Sequence, residues 1–148
     1  MAKAIFLNST TINVNARDGE TFTLESHLPV DQKKQQPLAH LLAQCFDEEF
    51  SDDKSSMVYW VLMKMMTNVG FSFSYKGSDR SEERERIGAR IRQLREEKKI
   101  EAKHLATLAN IDAANLSRIE KGRYSVGFDI LVKISQALGV KVDLVKTV

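Results

Sequence analysis

At 148 residues, 43% hydrophobic and 28% charged, the chain has the composition of an ordinary folded protein and room for one medium domain or two small ones. Its longest apolar run, Met57 to Met66, is broken by Lys64 and falls short of the roughly 18 residues that span a bilayer. With no leader-like basic and apolar stretch at the N-terminus, a cytoplasmic location without membrane attachment is expected. The net charge of +2 is uneven: residues 1–79 carry 7 Lys and Arg against 10 Asp and Glu, and residues 80–148 carry 15 against 10, so that −3 stands beside +5 and a polyanionic partner is expected for the basic half.

Residues 4–26 favour strands. Thr11-Ile12-Asn13-Val14-Asn15 and Thr21-Phe22-Thr23-Leu24-Glu25 alternate polar and apolar, and Arg17-Asp18-Gly19-Glu20 between them carries the Asp-Gly signal of a hairpin turn. Residues 30–36 are polar and read as a connection. Pro37 suits the first turn of a helix running to about Phe50, with Leu38, Leu41, Leu42, Cys45, Phe46 and Phe50 at helical spacing. A second helix, capped by Ser55 or Ser56, runs from Met57 to about Val69, and Gly70 ends it. Phe71 to Tyr75 then reads as a strand.

The helix from Met57 is apolar on nearly every side and so needs cover on every side. A second copy of the chain would supply it; so would burial at the centre of its own domain. Residues 1–77 are therefore expected to form an α+β module (a β-hairpin, two helices and one strand) that dimerises, senses a small ligand or binds a protein partner. Lys76-Gly77-Ser78-Asp79-Arg80-Ser81 lacks large apolar residues and marks a joint, with a linker at 78–82.

Residues 83–148 read as an all-α domain. A first helix spans about Glu82 to Lys98, with Ile87, Ile91 and Leu94 on one stripe. A second spans about Ala102 to Ala109, with Leu105, Ala106 and Ala109 inward. A third follows Asp112, a good N-cap, carries Leu116 and Ile119 inward and stops at Gly122. A fourth spans about Phe128 to Leu138 and stops at Gly139. Asn110-Ile111-Asp112 is a tight turn between the second and third helices: Asn accepts the left-handed conformation, Ile111 fills the angle, and small Ala106 permits close approach. That is a helix-turn-helix. Val140-Lys141-Val142-Asp143-Leu144-Val145 alternates like a short C-terminal strand.

The segment Leu105-Ala106-x-Leu108-Ala109-Asn110-Ile111-Asp112-x-x-x-Leu116-Ser117-Arg118-Ile119-Glu120-Lys121-Gly122, with Leu131-x-x-Ile134-x-x-Ala137-Leu138-Gly139-Val140 after it, resembles the Xre (lambda-repressor-like) helix-turn-helix family over about residues 84–145. The resemblance implies double-stranded DNA as partner. It places Ala113, Ala114 and Asn115 against the bases, with Arg118 one turn on. Asn pairs with adenine and Arg with guanine, whereas Ala meets only a thymine methyl. It assigns Lys121, Arg123 and Tyr124, in the loop after the third helix, to phosphate, with Lys103 and His104 near the start of the second. Arg95 and Glu120 match a structural ion pair of the family. Ala102 stands where Gln is common, Asn110 replaces the turn Gly, and Asp112 replaces a capping Ser or Thr.

An enzyme is not expected. His27, His40 and His104 are scattered, no phosphate-cradling glycine loop occurs, and the single cysteine, Cys45, can form neither an internal disulfide nor a thiolate cluster. No cofactor or metal is expected; Asp47-Glu48-Glu49 and Asp52-Asp53 read as a solvated charged loop. The reading is a sequence-specific, DNA-binding transcriptional regulator acting as a homodimer. An antitoxin-like protein, whose N-terminal half grips a toxin and whose helix-turn-helix represses the shared operon, is the first alternative. A protein-interaction module that does not bind DNA is the second.

Overall fold

The computed structural model of the chain describes residues 1–147 and divides into two compact units, Met1–Glu82 and Glu83–Val148. The first contains a four-stranded antiparallel sheet in the order β1 (Lys3–Phe6), β2 (Thr11–Asn15), β3 (Thr21–Ser26) and β4 (Phe73–Ser78). Two helices, α1 (Gln32–Glu48) and α2 (Lys54–Val69), lie between β3 and β4 in the chain. The hairpin is as the alternation predicts. Ile12 pairs with Leu24 and Val14 with Phe22, and all four are fully buried on the face that meets the helices. The opposite face is wet, and there Thr23 donates to Asn13 and Thr11 to Glu25 across the ladder.

Four features of this unit correct the sequence reading. The hairpin gains β1 at its edge, a strand too short for periodicity to define. Helix α1 begins at Gln32 and holds Pro37 inside it; Gln and Lys are good helix formers, and a proline near a helix start forfeits a single backbone bond. The cap of α2 is Asp53, whose carboxylate accepts from Ser56 N–H at 3.0 Å, while Gly70 adopts the left-handed conformation that ends the helix. Lys76, Gly77 and Ser78, read as part of the joint, belong to β4: Gly77 and Ser78 pair with Thr23 and Phe22 of β3, and Lys76 is the extra, bulged residue. The register there shifts by one residue, and Gly77, at φ +109°, absorbs the kink.

The Lys54 ammonium, with its side chain only 4% exposed, lies 2.6 Å from the Asp18 carboxylate in the β2–β3 turn. The Phe50 ring stands 5.2 Å from the same ammonium. Burial pushes the Asp18 carboxyl up, but the Lys54 hydrogen bond, the Glu20 N–H and the charges of Lys54 and Arg80 together hold it below its usual value.

Helix α2 is less enclosed than its composition suggests. Met57, Val58, Val61 and Met65 are buried against the sheet and α1, whereas Tyr59, Trp60, Met63 and Met66 are 41–57% exposed.

The second unit is helical: α3 (Ser81–Glu97, opening in the last residues of the first unit), α4 (Ala102–Leu108), α5 (Ala113–Glu120) and α6 (Phe128–Leu138). Its core joins Ile91, Leu105, Ala106, Ala109, Leu116, Ile119, Ile134 and Leu138, one stripe from each helix. The predicted C-terminal strand is absent. Residues 140–147 form no strand: the Val140 N–H bonds the Ser135 carbonyl at 2.9 Å, and Leu144 and Val145 are almost wholly exposed. Alternation supplies a strand's faces but not the neighbouring edge that its backbone must bond.

Candidate nucleic-acid interface

The turn between α4 and α5 is built by its own residues. Asn110 takes φ +55°, a conformation that Asn tolerates better than most residues. Its N–H bonds the Thr107 carbonyl at 3.1 Å, and the Ile111 N–H returns to the Ala106 carbonyl at 2.9 Å. Ile111 packs against the helical core, and Ala106 and Ala109 are buried where the two helices meet. Asp112 then caps α5, accepting from Ala114 N–H at 3.2 Å. Leu116 and Ile119 bury the inner face of α5 and so turn its other face to solvent.

The outer face carries the four residues assigned to base reading. Ala113 and Ala114 are exposed, and Asn115 and Arg118 half-buried. An Arg118 guanidinium N–H donates to the Asn115 side-chain carbonyl at 2.9 Å. The pair occupies successive turns of one helix and forms a joined donor–acceptor edge without DNA. The Asn115 oxygen has a second lone pair, so it can keep the Arg118 hydrogen bond and still accept from another donor.

The residues assigned to phosphate are placed less uniformly. Lys121 is exposed just beyond α5, with Arg123 and Tyr124 half-buried after it, while Lys103 and His104 are exposed in the first turn of α4. Among the described residues neither Lys103 nor Lys121 makes an ion pair, so both cations are available to an outside anion. On α3, by contrast, Arg86 and Arg92 are paired with Glu83 and Glu96.

Arg95 and Glu120 form a bidentate bridge: Nε to Oε2 at 2.8 Å and Nη2 to Oε1 at 3.1 Å, with Nη1 donating to the Ile100 carbonyl at 3.0 Å. The side chains are 13% and 8% exposed. The carboxylate beside it holds the guanidinium's pKa above its usual value. The bridge ties the end of α5 to α3 and so sets the angle at which α5 is presented.

Gly88 was not among the residues that the sequence reading singled out. A Cβ there would lie 2.2 Å from the Ile119 carbonyl oxygen and 2.7 Å from that of Glu120. Only glycine lets α3 cross the end of α5 this closely. An isolated glycine inside a helical pattern was the available signal. Gly122 combines φ +74° with a similar constraint, since a Cβ would meet the Glu85 backbone at 2.7 Å. Among the described residues, no group of three His, Cys, Asp or Glu could hold a metal ion, and no helix is long and apolar enough to cross a membrane.

Comparison with known proteins gives a family match to this part of the chain. Residues 91–145 match the helix-turn-helix family model. The matched segment runs from the second half of α3 through α6 and is the part of the chain that resembles the lambda-repressor-like (Xre) type. The chain is similar to the immunity repressor protein of Bacillus phage phi105, at 34% identity over 59 residues that make up 40% of this chain. The match spans 41% of the repressor's length. Among solved structures, the clp gene regulator ClgR of Corynebacterium glutamicum is 33% identical over 38% of this chain and 61% of its own, with a TM-score of 0.38. The restriction-modification controller protein C.AhdI of Aeromonas hydrophila is 27% identical over 40% of this chain and 91% of its own, with a TM-score of 0.40.

Proposed function

We propose that the protein is a transcriptional regulator that binds double-stranded DNA in a sequence-specific manner as a homodimer. The observation that carries this reading is the outer face of α5, where two exposed alanines and the Asn115–Arg118 pair stand on a helix whose inner face is fully buried. Small side chains let a helix enter the major groove, and an amide and a guanidinium are the groups that discriminate adenine and guanine there. Asn115 and Arg118 specify sequence, with Ala113 and Ala114 against thymine methyls. Lys103, His104, Lys121, Arg123 and Tyr124 hold the backbone and make binding depend on salt. One such helix reads too few bases for selective binding. Two copies on a two-fold axis read half-sites about one helical turn apart.

The test is fluorescence anisotropy of the purified protein on the DNA upstream of its own gene and on a scrambled duplex, over a salt series. Preferential binding to the upstream DNA, weakening steeply with salt, is the expected result. Equal affinity for both duplexes at every salt concentration would refute sequence reading.

A further inference from the structure

From the exposed side of α2 we infer the surface through which two copies of the chain pair, an inference that rests on the homodimer reading above. Tyr59, Trp60, Met63 and Met66 project from one side of the helix, opposite buried Met57, Val58, Val61 and Met65. Large half-exposed aromatic and thioether groups in a continuous stripe mark a protein-binding surface rather than a solvated one.

Three properties fit a second copy as the occupant. The first is charge. From Ser55 to Gly70 the only charged residue is Lys64, whose ammonium is held by Glu48 and Glu49 at 3.3 and 2.5 Å. Like can therefore face like without repulsion, whereas a charged partner would find nothing to complement.

The second is the order of side chains along the stripe. Its N-terminal end is bulky and rigid, with Tyr59 and Trp60 in edge-to-face contact at 5.6 Å. Its C-terminal end is the flexible thioether of Met66, two turns or about 10 Å away. When two such helices cross antiparallel about a two-fold axis at Met63, the aromatic end of each meets the thioether end of the other. That is a favourable sulfur–ring contact, made twice by symmetry.

The third is area. Four half-exposed large side chains, with Ser56 and Thr67 beside them, offer on the order of 500 Å² per copy, or about 1,000 Å² per pair, the lower bound for a specific interface. The surface is at the small end for a stable dimer, and two DNA half-sites would consolidate it.

Trp60 is the only tryptophan of the chain and reports directly on this surface. Sedimentation equilibrium and Trp60 emission are followed on the full chain over a concentration series. The same measurements are made on Met63→Glu and Met63→Lys, alone and mixed, and on Tyr59→Lys, with far-UV circular dichroism to verify folding. The expected result is a monomer–dimer equilibrium in the wild type, with emission moving to shorter wavelength as the dimer forms. Each single variant should be folded and dimerise at least about tenfold more weakly. An equimolar mixture of the Glu and Lys variants should regain the dimer, because the axis sets residue 63 against its own copy. A wild-type dimer with unchanged Trp60 emission, undiminished in the variants, would overturn this surface and leave the homodimer reading standing. A chain that stays monomeric, yet binds two-half-site DNA one copy at a time, would overturn both.

Discussion

Helices α2 and α5 both bury one face and expose the other, but they expose opposite kinds of surface. On α2 the outer stripe is Tyr59, Trp60, Met63 and Met66; on α5 it is Ala113, Ala114, Asn115 and Arg118. Large apolar groups gain by leaving water against another apolar surface. Small and hydrogen-bonding groups gain little that way and suit a groove lined by base edges. The difference teaches that amphipathicity reveals only the buried face of a helix. The chemistry of the other face separates a surface for protein from one for nucleic acid.

The units are also held together differently. The sheet unit rests on a continuous apolar core, with the buried Lys54 ammonium paired to Asp18. The helical unit has a smaller core and depends on a close backbone crossing at Gly88 and the Arg95–Glu120 bridge. Gly88→Val breaks this comparison most severely. With a branched side chain driven into the Ile119 carbonyl, the helical unit should lose its fold while the first unit retains its own melting transition, seen by calorimetry. Next is Glu120→Ala, which strands Arg95 among half-buried neighbours and should cost about 3 kcal/mol, measured by urea unfolding. One concerted transition in either variant would show the two units to be energetically inseparable.

Smaller changes sharpen the contrast of surfaces. Arg118→Ala should lose about 1–3 kcal/mol of discrimination between matched and mismatched duplexes, with a smaller loss of stability from its hydrogen bond to Asn115. Equal losses on both duplexes would contradict its role. Lys121→Ala should weaken binding to every duplex alike and reduce the salt slope by about 1.

The smallest effect is at Asp18. Its folded pKa lies below the ordinary 3.8. Its contribution to stability is therefore fully present above that value and is lost as pH falls through the folded value. The melting midpoint of the first unit should drop in this acid window, and Asp18→Asn should remove that part of the drop.

Most of the helical unit was legible in the residues. Asn110, Asp112 and Gly139 specify local backbone states, and the apolar stripes place α3 to α6 within a residue or two. Local chemistry also placed the β2–β3 hairpin and the left-handed stop at Gly70. Gly88 escaped because its meaning lies in the distance to a carbonyl far along the chain, which periodicity does not contain. The start of α1 escaped because a proline was given more weight than five good helix formers before it.

What the sequence by itself determined is therefore what depends on neighbours in the chain: caps, turns, buried stripes and the helix-turn-helix. Tertiary structure alone decided what depends on distant partners. It added β1 to the sheet edge and drew the joint residues into β4. It left residues 140–147 without a strand to pair with, and it chose which side of an almost uniformly apolar α2 would be buried. In each case the physical reason is the same: a strand's hydrogen bonds and a helix's covered face are supplied by another element, and no run of neighbouring residues can state which one arrives.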